Sequence, residues 1–155
     1  MQKTNVLRIL DSKAVSYSVF EYEVDEDSLD AVTVADKINA DIEQVFKTLV
    51  ASGEKNNIFV FVIPGQYELD LKKAALASGN KKIEMLKVKD LLATTGYIRG
   101  GCSPIGMKKS YPTFIDESAL LFDKIYFSAG KRGMQVKLSP ELLAEITSAV
   151  FSDLI

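Results

Sequence analysis

Apolar positions change their spacing several times along the chain, and each change predicts an element. Val6, Ile9 and Leu10 recur at helical spacing, with Leu7 widening the stripe, so residues 3–13 predict a short amphipathic helix. Tyr17 to Val24 alternates and is rich in β-formers, which predicts a strand, and Asp25 to Asp30 reads as an acidic loop. Thr33 is placed to cap a helix running through Lys37 to Asn39, and Asp41 to cap a short helix through Phe46. Lys47 to Ala51 and Ile58 to Ile63 flank the polar turn Ser52-Gly53-Glu54-Lys55-Asn56-Asn57, a hairpin pattern ended by Pro64-Gly65.

Asp70 to Ser78 predicts a helix closed by Gly79, with Leu71, Ala74 and Ala75 on one face, and residues 87–95 predict another, stopped at Gly96. Tyr97 to Met107 holds three glycines and a proline and reads as a loop. Thr113 to Ile115, Ile125 to Ser128 and Met134 to Leu138 read as strands, the last two joined by the basic turn Gly130-Lys131-Arg132-Gly133. Ser139 and Pro140 open the last helix, whose expected buried stripe is Leu142, Leu143, Ile146 and Val150. Short strands joined by irregular connections argue for an α+β fold: a mixed, mostly antiparallel, barrel-like sheet flanked by short helices, in one domain over residues 1–155.

Composition narrows the chemistry more than the architecture. With no histidine and one cysteine, the common transition-metal ligand sets are absent, so no metal or cofactor is expected. Ser-His-Asp and Cys-His mechanisms are excluded for want of an imidazole. Cys102 has no partner for an internal disulfide, and no apolar run approaches the roughly 20 residues of a membrane helix. The opening MQKTNVLRIL meets Asp11 and Lys13 without developing a signal peptide or anchor, so a cytoplasmic protein with no membrane partner is expected.

Charge is uneven. Residues 1–71 carry 6 basic and 13 acidic side chains, whereas residues 72–137 carry 13 basic and 5 acidic. That asymmetry suits a polyanionic partner and equally an ordinary solvated lysine face. Lys72, Lys73, Lys81, Lys82, Lys87, Lys89, Lys108 and Lys109, with Lys131 and Arg132 of the basic turn, are candidate phosphate contacts.

Two features stand out as a candidate cleft. Lys47 lies where a helix gives way to a strand, where a lysine can snorkel or hold an anion. The loop Gly100-Gly101-Cys102-Ser103-Pro104 allows close backbone approach to a ligand and can present amides to an oxyanion. It is neither a Walker loop nor a dinucleotide fingerprint. Cys102 is its most obvious reactive atom, Ser128 brings a hydroxyl beside Gly130, and Tyr22 or Tyr97 could stack on a base.

These segments also carry a resemblance. Phe46-Lys47-Thr48-Leu49-Val50, Leu71-Lys72-Lys73-Ala74-Ala75, Gly96 through Gly106 and Ser128-Ala129-Gly130-Lys131-Arg132-Gly133 follow one another as in the YbaK, or EbsC, family of aminoacyl-tRNA deacylases. That family is related to the editing domain of bacterial prolyl-tRNA synthetases. The resemblance, strongest to the freestanding Cys-tRNA(Pro) deacylases, implies trans-editing of a misacylated tRNA, with the acceptor end as substrate and prolyl-tRNA synthetase as partner. It implies that Lys47 is the essential lysine and that Tyr22, Thr48, Arg99, Gly100, Gly101, Cys102, Ser103, Pro104, Ser128 and Gly130 shape the substrate site. It further implies that the substrate's own cysteine thiol is the nucleophile, which would explain a chain without a histidine base. Asp25-Glu26-Asp27 and Asp30 depart from the usual pocket wall of that subgroup. Water-dependent deacylation of Ala- or Ser-tRNA(Pro), and a noncatalytic RNA- or nucleotide-binding role, are the alternatives.

Overall fold

The computed structural model describes residues 2–155. In chain order the regular elements are α1 (Asn5–Ser12), β1 (Ser18–Glu21), α2 (Ala31–Lys37), β2 (Phe46–Ser52), β3 (Ile58–Pro64), α3 (Leu71–Ser78), β4 (Glu84–Met85), α4 (Val88–Thr95), β5 (Thr113–Asp116), β6 (Ile125–Ser128), β7 (Met134–Leu138), α5 (Pro140–Thr147) and β8 (Val150–Ser152). The expected α+β class and the mostly antiparallel mixed pairing are present, but the described residues form two open sheets and not a closed barrel. A three-stranded antiparallel sheet has the order β1-β7-β6, and a five-stranded mixed sheet has the order β4-β2-β3-β5-β8. They meet at a parallel bridge between Val45 and Tyr126.

The β2–β3 hairpin pairs from Phe46↔Pro64 to Ser52↔Ile58, and its connection, longer than two residues, includes a 3-10 turn over Glu54–Asn56. β5 joins β3 in parallel after a long crossover through α3 and α4, and β8 joins β5 in parallel after α5. The main core lies between the sheets. Val6, Leu7 and Leu10 of α1 pack there with Val60 and Val62 of β3 and Phe127 and Val136 of the smaller sheet. On its other face the larger sheet buries Phe61, Ile63 and Phe114 against Ala74 and Ala75 of α3. A third cluster, Ala35, Val45 and Tyr126, forms beneath α2.

Several local expectations shift. Asp30, not Thr33, caps α2: its carboxylate accepts from the Thr33 amide at 3.1 Å and from the Thr33 hydroxyl at 2.9 Å, so the helix starts three residues earlier. Asp41 does cap, but only a 3-10 turn over Ile42–Gln44, and Phe46 opens β2 instead of continuing a helix. Strand β1 is limited to the segment paired with β7. Leu71 is exposed at the first turn of α3, leaving Ala74 and Ala75 as its buried face. Val150 lies outside the helical stripe: Ser148 takes a left-handed conformation (φ 56°), ends α5 and sends Val150 into β8, where it is exposed. Both β4 and β8 are too short to leave a periodic signal.

Asp116 illustrates how the C-terminal segment is tied down. It is buried, and its two carboxylate oxygens accept from the backbone amides of Leu154 at 2.9 Å and Ser118 at 3.1 Å. Replacing Asp116 by Ala leaves the buried Leu154 amide without an acceptor. Because hydrogen bonds to a charged acceptor contribute about 1.5–3 kcal/mol, urea unfolding of Asp116→Ala should show a loss of about 3 kcal/mol with an unchanged m-value.

Candidate active site

β4 pairs only with Ala51 and Ser52. The preceding part of β2 therefore has a partner in β3 on one side and a free edge on the other. A cavity of about 420 Å³ runs along this edge, which is why consecutive residues from Val45 to Val50 border it. Its other walls come from three places. Asp30, Ala31 and Val34 of the α2 segment form one, Met85, Leu86, Val88 and Leu91 form the α4 side, and Arg99, Gly100 and Cys102 of the glycine loop meet Ser128 and Gln135 of the small sheet.

Lys47 is half-buried at this edge, and among the described residues its ammonium has no hydrogen-bond or ion-pair partner. Burial lowers its pKa below the ordinary value of 10.5, with a smaller opposing pull from the carboxylate of Glu68. It is a partly desolvated cation facing a cavity, where an anionic or strongly polar oxygen would be its natural partner. Next to it, the buried hydroxyl oxygen of Thr48 has no hydrogen-bond partner among the described residues, nor does Oε1 of Gln135. Buried polar atoms are rarely left this way. Both residues border the same cavity, so they offer polar sites for a ligand.

The glycine loop is held against the 130–133 turn. Arg132 Nε donates to the Arg99 carbonyl at 2.8 Å, and a Cβ on Gly101 would come within 3.1 Å of the Arg132 and Lys131 backbone. Gly100 has φ +85°, so it too favours glycine. The Gly101 amide is donated within the loop to Ile98 O at 3.0 Å, whereas among the described residues the amides of Gly100 and Cys102 meet no protein acceptor. Cys102 is buried with its thiol pushed up to about 12, chiefly by desolvation and in spite of a hydrogen bond with Thr95. That is the environment of an inert thiol, not of an activated nucleophile.

Lys47, Thr48, Arg99, Gly100, Cys102 and Ser128 thus converge on one cavity. Gly101, Ser103 and Pro104 are buried in the loop behind it, where Ser103 Oγ accepts from the Ile105 amide at 3.3 Å. Gly130 donates its amide to Ser128 Oγ at 3.1 Å and supports that residue from outside the lining. Tyr22 follows β1, with its amide donated to Gly133 O, and does not border the cavity.

The expected phosphate contacts are dispersed. Lys73 pairs with Asp153 at 3.0 Å, while Lys72 is exposed beside it on α3. Lys108 reaches the Ala93 carbonyl at 3.3 Å. Lys109 and Pro104 border a second cavity of about 430 Å³ near the end of α5. Lys131 is exposed, and Arg132 approaches Glu26 at 3.7 Å.

Gln135 and the α2 and α4 walls were missed from sequence. Gln135 alternates with the inward residues Met134 and Val136, so it reads as exposed. In the fold, α2 covers this second face of the small sheet, and Gln135 sits opposite Ser128 in the β6–β7 register. The apolar residues Val88 and Leu92 of the predicted helix over 87–95 are a sequence hint of that wall, and the fold leaves both exposed.

Residues 25–146 match the model of the aminoacyl-tRNA editing domain. Over 153 residues the chain is 52% identical to EbsC of Enterococcus faecalis (strain ATCC 700802 / V583), described as a candidate Cys-tRNA(Pro)/Cys-tRNA(Cys) deacylase; the match covers 99% of this chain and 93% of that one. A crystal structure of a candidate trans-editing enzyme for prolyl-tRNA synthetase superposes with a TM-score of 0.84 at 25% identity, covering 99% of this chain and 98% of that one. The hypothetical protein APE2540 shares the fold with a TM-score of 0.88 at 20% identity, over 97% of this chain and 99% of its own. With a family match spanning most of its length and a relative identical at half its positions, this chain belongs to the aminoacyl-tRNA editing domain family.

Proposed function

We propose that residues 1–155 act as one editing domain that releases the amino acid from a misacylated tRNA, with Cys-tRNA(Pro) as the preferred substrate. The observation that carries this reading is the unpaired, partly desolvated Lys47 beside the unpartnered Thr48 and Gln135 oxygens in a single cavity. The 52% identity to EbsC supports the substrate choice. Lys47 holds the ester end of the acceptor nucleotide, the Thr48 and Gln135 oxygens receive the α-ammonium, and the Gly100 and Cys102 amides face the carbonyl oxygen. Prolyl-tRNA synthetase, which makes the mischarged product, is the expected partner.

A nucleophile must come from outside this set, because there is no histidine and the Cys102 thiol is held protonated by burial. The substrate thiol fills the role. Its sulfur attacks the ester carbonyl, the new C–S bond forms as the C–O bond to ribose breaks, the thiol proton passes to the ribose oxygen, and the amino acid leaves as a cyclic thiolactone. The protein contributes proximity and oxyanion stabilisation. Ser- and Ala-charged tRNA(Pro) lack the thiol and would have to use water.

Lys47→Ala should lower deacylation of Cys-tRNA(Pro) by at least about 100-fold, the range for removing an electrostatic stabiliser, while Cys102→Ala stays within a few-fold of wild type. Acid-gel analysis of charged tRNA is the measurement, and the reverse ranking of the two variants would overturn the assignment of roles. Run on Cys-, Ser- and Ala-charged tRNA(Pro), the same assay tests the nucleophile. Equal rates on all three would exclude the thiol, and protection of the ester without release would make the protein a binder.

A second prediction follows from the lowered Lys47 pKa. The unfolded chain holds this proton up to about 10.5 and the folded chain releases it earlier, so the buried charge costs stability at neutral pH, and the cost fades as pH rises through that window. Lys47→Met should therefore melt a few degrees higher than wild type at pH 7 while being inactive, and the gap should narrow above pH 10. Calorimetry at the two pH values reads the effect; a lower melting temperature at pH 7 would mean that Lys47 is a structural residue.

A further inference from the structure

The mouth of the cavity has two chemically opposite sides. On one, Asp30 lines the wall after the run Asp25-Glu26-Asp27, where Glu26 is exposed. On the other, α4 presents a graded apolar face. Thr95, at its inner end, is buried, with its hydroxyl donated to the Leu91 carbonyl at 2.8 Å; Leu91 is half-buried; Val88 is 63% exposed and Leu92 54% exposed. Met85 continues the rim at 42% exposed. Val88, Leu91, Leu92 and Thr95 follow the spacing of one helix stripe, so the stripe forms a ramp from the interior of the cavity to the surface. Lys87 and Lys89 flank its outer end; both are exposed, and neither makes an ion pair among the described residues.

We infer that the single-stranded 3′ end of the charged RNA leaves the cavity across α4, its terminal bases lying on Val88 and Leu92 and its phosphates beside Lys87 and Lys89. This rests on the deacylase reading in one respect, that an aminoacyl ester occupies the cavity. An amino acid is only a few ångströms long, so the terminal nucleotide must then lie at the mouth. On the Asp30 side Arg132 is drawn to Glu26 at 3.7 Å, whereas the α4 side pairs apolar area for the bases with the Lys87 and Lys89 cations, which make no ion pair among the described residues. The same arrangement explains why large apolar side chains are left open to water on a helix whose inner end is buried.

The test uses an uncharged RNA hairpin with a four-nucleotide single-stranded 3′ end, followed by fluorescence anisotropy over a range of salt. Lys87→Ala/Lys89→Ala should weaken binding about tenfold at low salt and reduce the slope of log K against log salt by about 1.4, the value for two phosphate contacts on a single strand. Val88→Asp, tolerated in the first turn of a helix, should weaken binding of the overhang, and the effect should vanish when the terminal nucleotide is made abasic. Asp25→Asn/Asp27→Asn should not weaken binding. Unchanged affinity and salt slope in the lysine variant, equal binding of a blunt hairpin, or no binding by wild type would overturn the inference; unchanged RNA binding in all variants would assign this face to another partner. A wild type that binds the overhang in this lysine-dependent way but releases no amino acid from charged tRNA would sink the deacylase reading alone.

Discussion

The bridge between Val45 and Tyr126 is the contact on which the site depends, because it brings the two sheets together where β2 begins. Val45 is buried and held from several directions: its amide is donated to Ile42 O at 3.2 Å and its carbonyl accepts from Gly65 at 2.8 Å. Tyr126 packs edge-on to Phe20 with ring centroids 5.3 Å apart and lies beneath the Lys137 ammonium at 5.2 Å. With that junction set, the free edge of β2 faces the second side of the small sheet, and α2 closes over one end. The cavity is the space that this junction leaves open.

Its chemistry follows from what a partly closed space does to polar groups. Removing water lowers the pKa of Lys47 and raises that of Cys102, so the same desolvation makes the cation more responsive to an anionic partner and the thiol less reactive. Neighbouring polar oxygens on Thr48 and Gln135 have no partners among the described residues. Each of these carries a cost for folding, and their concentration in one place is the pattern of a site kept ready for a ligand. A site organised in this way is suited to stabilising and orienting a bound ligand.

The glycine loop supplies the remaining wall by clasping the 130–133 turn instead of by wrapping a ligand along its length. Gly101 admits the turn's backbone, Arg132 reaches back to Arg99 O, and only Gly100 and Cys102 from the heart of the loop reach the cavity. Two segments separated by about thirty residues therefore act as one rigid corner. The charge asymmetry seen along the chain meets the cavity through Asp30, at the end of the acidic segment, and through Val88, which lies between Lys87 and Lys89.

From residue order alone came the elements that show a period, a β-rich run or a cap: α1, α3, α4 and α5, the β2–β3 hairpin, the strands β5, β6 and β7, and the loop from Tyr97 to Met107. Local chemistry explains these successes, since apolar spacing, Gly79, Gly96 and Ser139 act within a few residues of where they stand. The absence of histidine excluded a class of mechanism outright, and the linked motifs marked Lys47, Gly100, Cys102 and Ser128 as neighbours. Tertiary structure decided the rest. β4 and β8 are strands only because partners complete them, and Asp30 outcompeted Thr33 as the cap of α2. Gln135 reads as solvent-facing until α2 covers its face. The free edge of β2 exists because β4 stops at Ala51 and Ser52. Such features depend on contacts between residues far apart in the chain, for which local periodicity carries no signal.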